Sequence, residues 1–337
     1  MRKFFTRLVM FIAIPILLLL GVYLITDPYK TIRPFSLEYF DDTNRDYLSS
    51  ELFLMNYPVQ QYDSYILGSS KCGGINTYHW KNYLPEGSNQ FLFQAWGETI
   101  TGIEQKLNYI DEQGYRINNA LILIDIPDSF AKDQTPTKAM SIKHPIFSHQ
   151  SRWEFECVLF YDFIQKPSQW IKAVLGYKNK TIPFVGFDPV SNDWDGSNRY
   201  RDLTVPPQKD SLKNCSQIVR QAFLKEIQKS NPEDVLVSPA LINEQFKNQL
   251  EHIKTIFEKQ NTQYRIVISP SFCYTNPQIN EDDLRILNQV FGSDLVFDYS
   301  GYNDLTSDYN NFSDPNHFGL YVGWNVIDHI YHLEPCK

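Results

Sequence analysis

The sequence predicts an α/β fold: an open parallel sheet of about five strands, carried behind a single N-terminal transmembrane helix. Two observations predict it. Short apolar runs, rich in branched and aromatic residues, recur along the chain and end in turn chemistry, with helical patterns between them. The first 26 residues also hold an uncharged apolar stretch long enough for a bilayer. Composition agrees: 337 residues suit one large or two small domains, and 42% hydrophobic against 21% charged residues supports a packed core rather than disorder.

The apolar stretch runs from Leu8 to Ile25 without a charge. Eighteen residues at about 1.5 Å each span roughly 27 Å, close to the hydrocarbon thickness of a membrane. Pro15 inside it is tolerated in a membrane helix. Arg2, Lys3 and Arg7 precede the run and Asp27 follows it. The positive-inside rule therefore predicts a cytoplasmic N-terminus and a cell-membrane protein whose bulk is extracytoplasmic, periplasmic or extracellular. A cleaved signal peptide is the alternative; the length of the run and the lack of an A-x-A-like site after it favour an uncleaved anchor. All 39 acidic residues and all but three of the 31 basic ones lie beyond position 26, leaving that part near −11. A surface of this sign argues against nucleic acid as a partner.

Residues 27–60 read as a stalk, and 61–337 as the α/β domain. Strands are predicted at Tyr65–Leu67, Gln90–Gln94, Ala120–Ile126, Tyr264–Ser269 and Leu295–Asp298, each short and apolar on both faces. Helices are predicted at Thr99–Gln113, with Gly114 as its cap, at Ile218–Ile227, Leu241–Phe257 and Asp282–Phe291, and at Gly319–His332. The alternation implies an open parallel α/β sheet, and the fold class expected is a flavodoxin-like three-layer sandwich. The stretch from about 131 to 209, rich in Pro, Trp, Tyr, Asn and Asp, breaks the rhythm and reads as an insertion. It either roofs the carboxyl edge of the sheet, where ligands bind in such folds, or is a peripheral excursion.

Two segments carry candidate chemistry. Tyr65–Gly74 reads as a buried strand followed by Gly68, Ser69 and Ser70. A serine at a strand-to-helix turn is presented at the carboxyl edge of the sheet, with its own N–H available to a bound acyl oxygen. The second segment, Phe312–Gly319, holds Asp314 and His317 three apart around Pro315, just before the last helix. That spacing lets the aspartate accept from one imidazole nitrogen while the other meets the serine. Nucleophile, base and base-orienter are then all present.

On these motifs the chain resembles the SGNH (GDSL-like) hydrolase superfamily. The first block of that family, G-D-S, matches Gly68-Ser69-Ser70, with Ser69 in place of the aspartate and Ser70 as the implied nucleophile. The last block, D-x-x-H, matches Asp314 and His317. Gly97 in QAWGETITG fits the second block, whose glycine N–H joins that of Ser70 in the oxyanion hole. The third block, G-x-N-D, is missing; IDIPDSF stands there, with Asp128 near the expected asparagine, and an ionised aspartate cannot donate to an oxyanion. The G-S-S variant with one N-terminal anchor looks like the membrane-anchored branch, which includes the D-alanyl transfer protein of teichoic acids and the alginate O-acetylation proteins. The resemblance implies a serine acyltransferase or acyl esterase acting on an acylated polysaccharide of the cell envelope, with a multi-pass membrane O-acyltransferase as a partner and no cofactor. The alternative is an SGNH-fold scaffold that binds polymer without chemistry of its own.

Other residues carry weaker signals. Cys72 reads as a buried packing residue rather than a second nucleophile, and Lys71 as a solvated side chain or a hold on an anionic substrate. His79, His144, His149, His252, His329 and His332 show no metal-ligand spacing, and five scattered cysteines with no C-x-x-C do not form a zinc site. Asp188, Asp193 and Asp195 only loosely resemble a calcium loop. Trp153, Trp170, Trp194 and Tyr200 either stack on sugars or anchor the insertion. Asn179, Asn214 and Asn311 begin glycosylation sequons.

Overall fold

The structure is a computed structural model; it describes residues 2–41, 43–131, 138–175, 187–194, 221, 225 and 236–331. The chain forms two compact units. One comprises Met1–Glu51 with Gln134–Val185, the other Leu52–Asp133 with Gly186–Lys337.

In chain order the elements begin with α1 (Arg2–Thr26) and α2 (Arg45–Gln60), then β1 (Ser64–Gly68), a 3₁₀ turn at Ser70–Gly74, α3 (Thr77–Trp80) and β2 (Gln90–Gln94). Next come α4 (Ile100–Glu112), β3 (Asn119–Ile124), α5 (Pro145–Ser148), α6 (Arg152–Ile164) and α7 (Pro167–Val174). The chain continues with α8 (Glu244–Gln260), β4 (Gln263–Ile268), α9 (Glu281–Phe291), β5 (Val296–Asp298), β6 (Phe312–Asp314), β7 (His317–Phe318) and α10 (Leu320–Tyr331).

The second unit is built on a five-stranded sheet in the order β2-β1-β3-β4-β5, every pair parallel, flanked by helices. Alternate strand residues divide the core. Ile66, Leu92, Leu121, Leu123 and Val267 pack with Trp80 of α3 and with Val322, Val326, Ile327 and Ile330 of α10. Tyr65, Phe91 and Phe93 point the other way and meet the ring of Phe53 from α2. On that face the ammonium of Lys106 from α4 lies 4.9 Å from the Phe93 ring centre. Helices α4 and α8 are tied to each other by Glu104–His252 at 2.7 Å and Asp111–Lys259 at 2.7 Å.

Caps set the helix ends. Thr99, Asn243 and Asn280 accept first-turn N–H groups of α4, α8 and α9, so α8 starts at Glu244 and not at Leu241. Strand β3 ends at Ile124, two residues earlier than its apolar run, because Asp125 turns away to bond Ser129. The predicted helix at Ile218–Ile227 falls outside the described residues except for Gln221 and Lys225.

The segment read as a stalk is packed. Asp27 accepts the N–H groups of Thr31, Ile32 and Arg33, and α2 buries Tyr47, Leu48, Leu52 and Phe53. Within the first unit, α6 and α7 pack against the end of α1, where Tyr23 meets the rings of Phe160 and Phe163. The stretch read as one insertion is therefore divided. Its described residues 138–175 belong with the N-terminal segment, and 187–194 with the sheet. Helix α1 includes a 24-residue stretch, Lys3–Thr26, long and apolar enough to cross a membrane.

Candidate active site

Because β1 is a central strand of a parallel sheet, the turn that follows it lies at the carboxyl edge beside the turns after β2 and β3. Ser69 caps the 3₁₀ turn that Ser70 begins, its Oγ accepting the Lys71 N–H at 3.2 Å. Ser70 is partly exposed, and its Oγ stands 2.8 Å from His317 Nε2.

His317 and Asp314 face each other across the hairpin of β6 and β7. Both Asp314 oxygens lie within reach of His317 Nδ1, at 2.9 and 2.8 Å. Asp314 also accepts the N–H of Asn316 at 2.8 Å and of His317 at 3.1 Å. Burial alone would raise the Asp314 carboxyl. The hydrogen bonds and charge of His317 and these N–H groups outweigh it and hold the pKa below the usual aspartate value. With the Nδ1 proton held by the carboxylate, Nε2 is left to accept the Ser70 proton. The hairpin tip is itself fixed, since the Pro315 carbonyl accepts from Phe272 N–H at 3.1 Å and from Asn276 Nδ2 at 2.8 Å.

Glycines let these parts approach. A Cβ on Gly323 of α10 would lie 1.8 Å from the Gly74 carbonyl oxygen, and one on Gly74 would lie 2.3 Å from the ring of Phe318, the residue after His317. Backbone against backbone at this point is what seats the His317 hairpin beside the Ser70 turn.

Beneath Ser70 lies a buried polar cluster. Ser69 Oγ donates to Asp125, which begins the turn after β3. Lys71 Nζ lies 3.4 Å from Asp125 and donates to Ser271 Oγ, after β4, at 2.7 Å. Lys71 is thus no solvated side chain and no free hold for substrate. Its charge is taken up inside the protein, tying the Ser69–Ser70 turn to two further strand ends. Asp125 is the residue that sequence reasoning missed. A carboxylate at the end of the apolar run ALILIDI was the available signal, because a buried charge demands a partner. Asp128, by contrast, is exposed in the short turn Asp128–Phe130.

Gly97 sits in the turn after β2 with a φ of +62°, two residues past Ala95, whose N–H bonds the Gly68 carbonyl at 3.2 Å. The next residue, Glu98, pins that turn through a buried ion pair with Lys106 of α4. Among the described residues no acceptor takes the N–H of Ser70 or of Gly97.

The remaining candidates have structural partners. Cys72 is fully buried, and burial pushes its thiol well up, against any nucleophilic use. Asp193 accepts the Thr77 N–H and hydroxyl at 2.8 and 2.5 Å, and its burial raises its pKa to about 6. Asp188 accepts the N–H groups of Val190 and Ser191. Among the described residues no group of three or more His, Cys, Asp or Glu could hold a metal, and Asp195 lies outside them.

His79 pairs with Asp328, His144 with Glu51, His252 with Glu104 and His329 with Tyr299; His149 is exposed, and His332 lies outside the described residues. Trp170 donates to the Phe163 carbonyl, Trp153 is exposed on α6, and Trp194 packs over Gly73; Tyr200 lies outside the described residues. Asn311 is buried and donates to the Leu305 carbonyl, so it offers no glycosylation acceptor, and Asn179 and Asn214 lie outside the described residues. Comparison with protein-family models and with curated proteins gave no match.

Proposed function

We propose that this protein is a membrane-anchored serine acyltransferase or acyl esterase of SGNH type, acting on a polysaccharide of the cell envelope outside the cytoplasm. The observation that carries the reading is the hydrogen-bonded line from Ser70 Oγ through the His317 imidazole to Asp314. Ser70 Oγ attacks the acyl carbonyl while His317 Nε2 takes its proton, and the N–H groups of Ser70 and Gly97 receive the oxyanion. His317 returns the proton to the departing oxygen, leaving an acyl-serine. A second hydroxyl, from a sugar or from water, then attacks with His317 again as base and releases Ser70.

The strand order 2-1-3-4-5 supports the finer reading of the fold as a flavodoxin-like three-layer sandwich. The basic residues before the apolar run support a cytoplasmic N-terminus. A polymer-binding scaffold would have no use for an aligned serine, imidazole and carboxylate, so the catalytic reading is preferred.

Intact-mass spectrometry after exposure to a fluorophosphonate tests it. One adduct on the wild type, absent from a folded Ser70→Ala variant, is the expected result. A folded wild type that takes up no adduct, or an Ser70→Ala variant labelled as fast as the parent, would remove Ser70 from the mechanism.

A further inference from the structure

Helix α7 is apolar on two sides. Trp170 and Ala173, three residues apart, face inward and pack against the buried cluster that includes Tyr23 of α1 and Phe163 of α6; Val22 packs against the same cluster. On the other side Ile171, Val174 and Leu175, at i, i+3 and i+4, form a stripe whose residues are 59%, 66% and 67% exposed. A helix lying on a water-soluble core presents polar residues there; an apolar second face needs an apolar second environment.

The neighbour of α7 says what that environment is. Residues 3–18 of α1 are exposed apart from Ala13, and cover begins only at Leu19. The cover at Val22 and Tyr23 comes from the cluster that holds α7. Val22 is three residues short of Ile25, the end of the uncharged run, so it lies about 5 Å inside that end at 1.5 Å per residue. A helix that contacts α1 and packs on the cluster Val22 packs on does not stand clear of the bilayer that the run spans. Interfacial helices sit roughly 5–10 Å into the boundary between headgroups and acyl chains, which is the same depth.

We propose that α7 is a second membrane element, seated in the phospholipid interface of the leaflet that α1 leaves, with the Ile171–Val174–Leu175 stripe among acyl chains and Lys172 at the phosphates. The proposal rests on α1 spanning the bilayer and is independent of the chemistry at Ser70.

The full chain, reconstituted alone into phosphatidylcholine vesicles carrying a diazirine-bearing phosphatidylcholine, is irradiated and its labelled residues are mapped. Label on the exposed apolar residues of α1 and also on Ile171, Val174 and Leu175 is expected. An Ile171→Glu/Val174→Glu variant should lose the α7 label and keep that on α1; both side chains are exposed, and an unchanged near-ultraviolet dichroism spectrum checks the fold. Label on α1 with none on α7 would overturn the proposal and leave the anchor standing, as expected if a protein partner covers the stripe in the cell. Label on neither would overturn the anchor as well.

Discussion

Asp314 is the residue whose chemistry is most exposed to a conservative change. Both its oxygens face His317 Nδ1, so it selects the tautomer with the proton on that nitrogen. In Asp314→Asn the amide can donate to Nδ1 instead, which puts the proton on Nε2 and leaves nothing to accept from Ser70. Loss of a general base costs roughly 10²–10⁴-fold, and a fall of that order in fluorophosphonate labelling rate, with little change in melting temperature, is the expected outcome. A rate within a few-fold of the parent would assign the base to another residue. The sign of the pH dependence follows from the lowered pKa. Its contribution to stability is present above the ordinary aspartate value of 3.8 and is lost as the pH falls through the depressed one, so it is constant across neutral pH. At this scale Ser70, Asp314 and His317 were legible because each motif is short and local. Asp125 was not, since its partner Ser69 is 56 residues away and neither residue reveals the contact by itself.

Among elements, the close crossing of α10 over the Ser70–Gly74 turn decides whether the two halves of the site meet. Gly323→Ala would place a methyl group 1.8 Å from a backbone oxygen that cannot swing aside. The helix must retreat, carrying the β6–β7 hairpin with it. Overpacking of this kind costs about 1–3 kcal/mol, and the melting temperature should fall accordingly. Labelling of Ser70 should fall further than the stability loss explains, because His317 moves with the hairpin. Unchanged labelling at a lowered melting temperature would separate the crossing from the site. All five strands and four of the predicted helices were readable from their periodicity. Helix α2 was not, because its apolar residues serve cores in both units: Tyr47 in the first, Phe53 in the second. Helices α5 to α7 were hidden inside a stretch whose Pro, Trp, Tyr, Asn and Asp content reads as irregular.

For the molecule as a whole, the anchor and the charge distribution make one prediction. If α1 is an uncleaved span with its basic end in the cytoplasm, as proposed, the full chain should resist extraction by alkaline carbonate. A protease added outside spheroplasts should digest the sheet-bearing unit and spare a tag on the N-terminus. Release into the supernatant would point to cleavage after the apolar run, and protection of the sheet would reverse the orientation.

What the amino-acid order determined unaided was whatever acts over short range: an apolar run of membrane length, strand and helix periods, a serine after one strand and an aspartate three residues before a histidine. The tertiary structure decided what depends on residues distant in the chain. It brought His317 to Ser70 through the Gly74–Gly323 contact and tied the Ser69–Ser70 turn to Asp125 and Ser271 through Ser69 and Lys71. It also divided the irregular stretch between the unit that holds the N-terminal segment and the unit that holds the sheet. The physical reason is that periodicity and capping are written in neighbouring residues, whereas the partner of a buried charge, or of a glycine at a close crossing, is chosen only when the whole chain has closed.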